Sequence, residues 1–241
     1  MTDVVYIFGP GGSKWGDREL FYSLRSVGRH LKNFGQIFVL GSFPAFARSP
    51  GIPFKHLLSS DPYRNKQHNQ RKKMLELCVN PEISESFLLM NDDFFICKDV
   101  DAVTIPAYRQ GTIAMHIDWR KENPSTYLNS LVNTARALER SKLPDLDFEL
   151  HVPMPMRREA LKRVLEDFMF DWSVRDGLCA RSLYGNSLNL PGVRLMDLKL
   201  DSPLTESELL GKISDKPFFS AGPGGCNPAM ASVLERLFPT F

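Results

Sequence analysis

Cysteine is scarce in this sequence, with four residues among 241 and no C-x-x-C spacing between them. Disulfide scaffolds and zinc sites need cysteines in closer patterns, so these four indicate the reduced thiols of an intracellular protein. No apolar run approaches the length of about 20 residues that spans a bilayer. The opening residues also lack the positively charged region and the small-residue cleavage site of a signal peptide. We therefore expect a soluble, cytoplasmic protein without a membrane span.

An excess of charge of one sign is also missing, because 30 lysines and arginines balance 28 aspartates and glutamates to a net charge of +2. This balance argues against a dedicated nucleic-acid binder, although a local basic patch stays open. The hydrophobic fraction of 43% is ordinary for a globular protein and argues against disorder. A chain of this length favours one α/β domain with insertions over two small domains.

The first forty residues alternate between strand and helix patterns. Residues 4–8 form an apolar, β-branched run that breaks into glycines, as the first strand of an open parallel sheet does. Residues 17–31 carry apolar side chains at helical spacing, and residues 36–41 predict a second strand. Because this order fits a right-handed crossover, we predict an α/β fold with a mostly parallel sheet flanked by helices.

Further elements are predicted along the rest of the chain. The strongest strand signal is S-F-L-L-M-N-D-D-F-F-I-C at residues 86–97, in which apolar residues flank a polar N-D-D on both sides. The other predictions are a loop at 44–62, strands at 112–117 and 218–225, and helices at 64–78, 124–140, 157–168, 175–184 and 228–238.

The acidic pair Asp92-Asp93 follows the apolar run of that strand directly. Two adjacent carboxylates are costly to bury unless another group compensates their charge. Ligands of open α/β sheets bind at the carboxyl ends of strands, where a divalent cation would neutralise the pair and bridge to a diphosphate. The alternative is structural, with the pair capping the turn or forming ordinary salt bridges. We favour the metal site, because of the apolar residues on both sides.

The segment Gly9-Pro10-Gly11-Gly12-Ser13 follows the first predicted strand. Its backbone N–H groups, those of Gly11, Gly12 and Ser13 in particular, would approach a bound nucleotide closely. The segment matches neither G-x-x-x-x-G-K-[ST] nor G-x-G-x-x-G, so the usual phosphate-binding fingerprints are absent. A plain tight turn remains an equal alternative.

Histidines and arginines supply further candidates. His151 lies two residues before Pro153, and histidine is the commonest general base near neutral pH. A lone histidine is more often structural, and His116 has an equal claim from its local sequence. The arginines that could clamp phosphate oxygens are Arg157, Arg158, Arg175 and Arg181. The basic stretch at residues 66–73 is either solvated or in contact with an anionic acceptor.

Taken in order, four blocks of the chain resemble the Stealth family of sugar-phosphate transferases. D-V-V-Y at residues 3–6, with G-S at 12–13, is similar to the family's opening D-V-V-Y-T-W-V-x-G-S-D. E-L-F-Y-S-L-R-S at 19–26 and F-L-L-M-N-D-D-F-F at 87–95 look like E-L-R-Y-S-L-R-S and F-L-Y-x-N-D-D-x-F. H-V-P at 151–153 and L-E-R-L-F-P at 234–239 resemble the later H-x-P and L-x-x-L-F-P blocks. The resemblance extends from the first residues to the last.

The resemblance implies a glycosyltransferase-A-like, Rossmann-related fold that uses a nucleotide-sugar donor and a divalent metal, Mg²⁺ or Mn²⁺. Family members transfer a sugar-1-phosphate to a hydroxyl. Residues 1–110 would then be the half that binds the nucleotide-sugar, and residues 111–241 the acceptor and catalytic half of a single domain.

Residue by residue, Glu19, Asp92, Asp93 and His151 match motif positions, and Arg175 matches more weakly. The implied roles are metal binding for Asp92 and Asp93, proton acceptance for His151 and stabilisation of phosphoryl charge for arginine. We also expect Arg25 and Asn91 to contact the nucleotide-sugar.

The chain departs from the family pattern at two places. Lys14 follows Ser13 where the family has an acid, and N-K-Q-H-N at residues 65–69 replaces the usual T-F-N-S. The sequence therefore does not identify the acceptor. Transfer of the sugar itself, to a glycan or to a hydroxymethylated base in phage DNA, is the alternative activity, and a non-enzymatic nucleotide-sugar-binding module is a third hypothesis.

Overall fold

The chain folds around a five-stranded sheet and a smaller three-stranded one, in a computed structural model that describes residues 1–9, 15–46 and 49–239. The strands are β1 Thr2–Phe8, β2 Leu31–Lys32, β3 Phe34–Gly41, β4 Lys55–Leu58, β5 Ser86–Met90, β6 Phe94–Ile96, β7 Val100–Asp101, β8 Tyr108–Arg109, β9 Gly111–Thr112, β10 Leu146–Asp147, β11 Met154–Arg157, β12 Val193–Arg194, β13 Lys199–Leu200 and β14 Phe218–Ala221. The helices are α1 Arg18–His30, α2 Lys66–Val79, α3 Ile113–Arg120, α4 Thr126–Arg140, α5 Arg158–Asp167, α6 Ala180–Ser187, α7 Glu206–Ile213 and α8 Pro228–Leu237, with a 3₁₀ turn at Asp171–Ser173.

The large sheet has the strand order β11-β5-β1-β3-β4. β1 pairs in parallel with both β3 and β5, β3 pairs in parallel with β4, and β11 is antiparallel to β5. The predicted mixed α/β fold with a mainly parallel sheet flanked by helices is therefore confirmed. The chain moves outward from β1 to β3 and β4, then returns through α2 to place β5 on the other side of β1. The strand order thus reverses between β1 and β5, and such a reversal leaves a crevice at the carboxyl ends of the two strands.

Alternation along β1 builds a core on each face of this sheet. All seven of its residues are buried. Val5 and Ile7 pack on the face that α2 and α5 cover, whereas Val4, Tyr6 and Phe8 pack on the face that α1 covers. Residues three and four apart along α1 supply its apolar stripe, because those positions share one side of a helix.

The smaller sheet, β13-β14-β6, carries a third apolar cluster with α7 and α8. Residues 86–97, predicted as one strand, are divided between the two sheets: β5 belongs to the large sheet and β6 to the small one. The polar residues Asn91, Asp92 and Asp93 form the link at which the chain passes between the sheets.

The helices predicted at 64–78, 124–140, 157–168 and 228–238 are confirmed with small shifts at their ends. The loop predicted at 44–62 is wrong in part, because it contains β4 at the edge of the large sheet. The strand predicted at 112–117 is also wrong. Thr112 ends the short strand β9, and its side chain accepts a hydrogen bond from the Met115 N–H at 3.2 Å, which starts α3 instead.

The helix predicted at 175–184 begins at Ala180, so Arg175 lies outside it. β11 and α7 were not predicted. No helix in the described ranges is both long enough and apolar enough to cross a bilayer. The four cysteines are free thiols.

Candidate active site at the carboxyl edge of the sheet

The acidic pair lies in a turn at the carboxyl end of β5. The Phe94 N–H donates to the Asn91 carbonyl at 3.4 Å and closes the turn, and the Ala221 N–H donates to the Asp93 carbonyl at 3.3 Å. Met90, the last residue of β5, pairs with Tyr6 of β1. The turn therefore lies beside the end of β1, in the crevice where the strand order reverses.

Negative charge is concentrated around Asp92. Burial raises the pKa of the Asp92 carboxyl to about 7, with further contributions from the charges of Asp93 and Glu19, whereas Lys66 opposes the shift. Glu19 is buried in the first turn of α1, where its Oε1 lies 3.5 Å from the Cys226 Sγ. Burial raises the pKa of that thiol to about 12, and the charge of Glu19 adds to the shift. Carboxylates from two parts of the chain, Glu19 of α1 and the adjacent Asp92 and Asp93, thus influence one another electrostatically at this edge.

These carboxylates fit a hard divalent cation. In the described ranges, Asp93 pairs with Lys199, whose Nζ lies 4.0 Å from the Asp93 Oδ2. Asp92 has no salt bridge to any residue of the described ranges. Those ranges also contain no group of three or more His, Cys, Asp or Glu side chains that could enclose a metal ion. Two carboxylates with an open side are, however, the set with which Mg²⁺ retains water and phosphate oxygens.

His151 faces the same crevice and is oriented by Asp197. Its Nδ1 lies 2.6 Å from the Asp197 Oδ2, and its backbone N–H donates to Oδ1 at 3.0 Å. Burial alone would raise the pKa of Asp197, but the hydrogen bond from His151 and its charge outweigh burial and hold that pKa below its usual value. The ionised carboxylate can accept but not donate, so in the neutral ring Nδ1 carries the proton and the lone pair is on Nε2.

Arg181 fixes the loop that carries His151. Its guanidinium donates to the carbonyls of Leu150 at 2.9 Å, Val152 at 2.8 Å and Leu89 at 3.2 Å. It also lies 5.1 Å from the ring centroid of Phe94, and the Phe94 ring packs edge-on against His151 at 5.7 Å. Arg181, a candidate phosphate clamp from the sequence, therefore donates to backbone carbonyls and supports the loop that carries His151.

His116, the other candidate base, has both ring nitrogens engaged in the interior. Its Nδ1 lies 2.8 Å from the Asp147 Oδ2, and its Nε2 accepts from the Arg120 Nε at 2.9 Å. The ring is buried. His151 lines a cavity and His116 lines neither of the two described below, so the geometry favours His151 over His116 as a proton acceptor for a bound substrate.

Two cavities adjoin Asn91, besides a much smaller one of about 40 Å³. The first, about 260 Å³, contains His151, Lys199 and Glu149, together with polar residues of α2 and α4. The second, about 350 Å³, opens at the end of β1 and is lined by Gly9, Asp61, Arg64, Lys66, Asn69, Gln70, Lys73, Asn91 and Asp92. Both cavities share Lys66, Gln70 and Asn91. Substrates bound in the two would therefore meet beside the acidic pair.

The basic stretch at 66–73 divides by helix face. Lys66, Gln70 and Lys73 recur at intervals of four and three residues, so they share the face of α2 that lines the second cavity. The buried Lys73 Nζ donates to the Phe8 carbonyl at 2.6 Å and to Asp61 at 2.8 Å, which holds the end of β1. On another face, the Lys72 Nζ pairs with Glu76 at 2.7 Å.

Several predicted residues are not brought to these cavities. Arg25 is buried between α1 and α8, where its Nη1 lies 3.3 Å from Glu235 and its guanidinium lies over the Phe21 ring at 5.1 Å. Arg175 is exposed and lines neither cavity. Arg157 pairs with Glu85 at 3.4 Å, and Arg158 donates to backbone carbonyls. The predicted nucleotide-binding residues Gly11, Gly12 and Ser13 lie outside the described residues.

Three residues of the site were missed from the sequence. Asp197, Lys199 and Glu149 belong to no recognisable motif, because the contacts that define them join distant segments. A signal did exist for Lys66 and Lys73, whose spacing with Gln70 places three polar side chains on one helix face.

A scan against protein-family models finds no match for this chain, and a search of curated proteins finds none either. The resemblance to the Stealth family therefore depends on the motifs described above.

Proposed function

We propose that this chain is a metal-dependent transferase that uses a nucleotide-sugar donor and moves a sugar-1-phosphate to an acceptor hydroxyl, on a glycosyltransferase-A-like variant of the Rossmann-related fold. One observation carries the proposal. An acidic pair and a carboxylate-oriented histidine meet where the strand order reverses, and Lys199 lies 4.0 Å from one and 3.2 Å from the other. That combination suits phosphoryl transfer to a hydroxyl, because it joins diphosphate binding to a general base.

The chain's residues have distinct roles in this reaction. Asp92 and Asp93 would hold Mg²⁺ or Mn²⁺, which neutralises phosphate charge when bound. The His151 Nε2 accepts the proton of the acceptor hydroxyl while the oxygen attacks the sugar-proximal phosphorus. The bond from that phosphorus to the oxygen of the nucleoside monophosphate breaks, and the monophosphate leaves with the electron pair. Asp197 stabilises the resulting imidazolium.

The two cavities divide between donor and acceptor. The cavity at the end of β1 holds the cations Arg64 and Lys66, which suit the phosphates of the donor. The cavity beside His151 is at the small end of the range for small-molecule sites, which suits one sugar unit. The basic stretch offers little support for a DNA acceptor, because Lys73 is buried and Lys72 is paired with Glu76.

The experiment incubates the protein with a panel of UDP- and GDP-sugars, Mg²⁺ or Mn²⁺, and glycan or hydroxymethyl-DNA acceptors, and identifies the released nucleotide. UMP or GMP supports the proposal. UDP or GDP supports the alternative, in which the sugar itself is transferred. Release of neither, together with no metal-dependent donor binding, would contradict both activities and leave the site a structural one.

Replacement of Asp93 tests the metal site itself. Asp93→Ala should lower kcat by about 100-fold or more, because the loss of a metal ligand costs several kcal/mol of transition-state stabilisation. Asp118→Ala is the matched control, since it removes a surface aspartate whose lysine partner, Lys121, lies at 3.8 Å. The metal assignment is wrong if the two variants have similar rates.

A further inference from the structure

Lys199 occupies the space between the base and the acidic pair. It starts β13, two residues after Asp197, so one short segment supplies both the partner of His151 and this ammonium. Its Nζ lies 3.2 Å from the His151 Nε2 and 4.0 Å from the Asp93 Oδ2. The side chain is 34% exposed and lines the cavity of His151. It can therefore move without disturbing the core.

The contact with Nε2 determines what the histidine can do. The Asp197 carboxylate accepts a hydrogen bond from the protonated Nδ1, so the lone pair of the neutral ring is on Nε2. An ammonium group has three donors and no acceptor, so Lys199 donates to that lone pair. While this hydrogen bond exists, the lone pair is occupied and cannot accept the proton of an acceptor hydroxyl.

A phosphate group arriving beside Asp93 would compete for the same ammonium. A hydrogen bond is about twice as strong as a neutral one when either partner is ionised, so the ammonium already has this advantage with the imidazole. A phosphate oxygen adds a negative charge that attracts the ammonium further, and a neutral imidazole has none. Lysine is a compact charge on a flexible four-carbon stem, so its Nζ can change partners while β13 stays in place.

We propose that Lys199 is a further catalytic residue, which masks the lone pair of His151 until the phosphate of the donor draws the ammonium away, so that the base becomes available after the donor has bound. The unmasking step depends on the function proposed above. The masking itself does not, because it follows from the contacts of the chain alone.

The test measures how fast diethyl pyrocarbonate carbethoxylates the imidazole of His151, resolved by peptide mass spectrometry at a pH where the ring is neutral. Lys199→Met should raise this rate about fivefold, the factor that corresponds to the loss of one partly exposed hydrogen bond of about 1 kcal/mol. Lys199→Arg keeps a donor and should stay near the wild-type rate. His116, with both nitrogens engaged, is the internal reference, and Lys216→Met controls for the loss of a lysine of similar exposure.

Inorganic pyrophosphate with Mg²⁺ then serves as the probe for donor phosphate. Its addition should bring the ratio of the Lys199→Met rate to the wild-type rate from about five to about one, because the wild-type ammonium leaves Nε2. The ratio corrects for any shielding of the ring by the probe. Equal rates without pyrophosphate would overturn the masking, and a ratio that pyrophosphate leaves unchanged would overturn the unmasking. If no transferase activity exists, the fivefold difference without pyrophosphate still appears, so the two failures are distinguishable.

Discussion

At the scale of single residues, a histidine–aspartate pair is not enough to make a base. The described ranges contain three such pairs with similar distances: His30–Asp99 at 2.9 Å, His116–Asp147 at 2.8 Å and His151–Asp197 at 2.6 Å. The first lies at the far end of α1 and the second is enclosed in the interior. In the third, His151 lines a cavity together with Asn91 and Phe94, the residues on either side of the acidic pair. We therefore assign a role to His151 from the surroundings of its Nε2, and not from the pair that its Nδ1 forms with Asp197.

Replacement of Asp197 tests that assignment. Asp197→Asn should lower kcat by about 100-fold or more, within the range that general-base catalysis contributes, because the amide no longer stabilises the imidazolium. KM for the donor should change little, since Asp197 lines neither cavity. The measurement is steady-state kinetics on any donor and acceptor that turn over.

Asp99→Asn provides the matched control, because it alters the exposed pair with His30 at a distance from the site. We expect its kcat to stay within about twofold of the wild type, as for surface substitutions in general. Equal losses in the two variants would mean that His151 is not the base.

Asp92 predicts a pH dependence of stability. Its pKa is raised from 3.8 to about 7 in the folded protein, so between these values the folded state binds more protons than the unfolded chain. The free energy of unfolding of the metal-free protein therefore falls as the pH rises through this window. Asp92→Asn lacks the charge, and above pH 7 it should be more stable than the wild type by up to about 4 kcal/mol, the free energy of a change of about a thousandfold in the acid dissociation constant.

Urea unfolding in the presence of a chelator, repeated across the window, measures this difference. The advantage of Asp92→Asn should disappear as the pH falls towards 3.8, where Asp92 is protonated in both states. Addition of Mg²⁺ above pH 7 should stabilise the wild type but not the variant. A difference that does not vary with pH would mean that the Asp92 carboxyl is not desolvated.

At the scale of elements, α6 links the core to the base. It carries Arg181, which holds the His151 loop, and Ser182, whose N–H donates to Glu149 at 2.8 Å. Its position depends on Gly185, because a Cβ there would lie 2.5 Å from the buried ring of Phe148. A side chain at this position would push α6 away from its support.

Two helical glycines allow a matched comparison. Gly185→Ala should lower the free energy of unfolding by about 1 to 3 kcal/mol, the cost of overpacking a filled core. Gly211→Ala, in the exposed part of α7 with no atom within 4 Å of a new Cβ, should raise it by up to about 1 kcal/mol. Chemical denaturation of both variants measures whether the free energy of unfolding falls in Gly185→Ala and rises in Gly211→Ala. Stabilisation by Gly185→Ala would show that α6 is not closely packed on Phe148.

Helices and strands whose own sequence carries an apolar pattern could be predicted. Strands that form only because a neighbouring strand pairs with them could not. The apolar stripe of α1 and the buried run of β5 are properties of their own segments. β4 is an edge strand without a buried residue, and β11 is four residues long and antiparallel, so each depends on a neighbouring strand. The segment after Thr112 has an apolar pattern that suits either a strand or a helix. The Thr112 side chain caps the first turn, and the segment is therefore a helix.

At the scale of the whole molecule, the topology assembles the site. β11, from the second half of the chain, joins the large sheet beside β5, so residues 1–110 and 111–241 share one sheet. The sequence predicted Glu19, Asp92, Asp93 and His151, because each stands in a motif with local context. It did not predict Asp197 or Lys199, because their significance arises from contacts with His151 across 46 and 48 residues. Arg25 also stands in a motif, but its side chain packs against α8 and not in either cavity.

The fate of the sugar-proximal phosphorus tests the central claim most directly. The measurement uses a nucleotide-sugar with radioactive phosphorus at the sugar-proximal position. This donor is incubated with the wild-type protein, Mg²⁺ and an acceptor that turns over, and the nucleotide is then separated from the product. We predict that the label moves to the acceptor and that Asp93→Ala abolishes this transfer. Label that stays in a released nucleoside diphosphate, while the sugar moves to the acceptor, would contradict phosphotransfer.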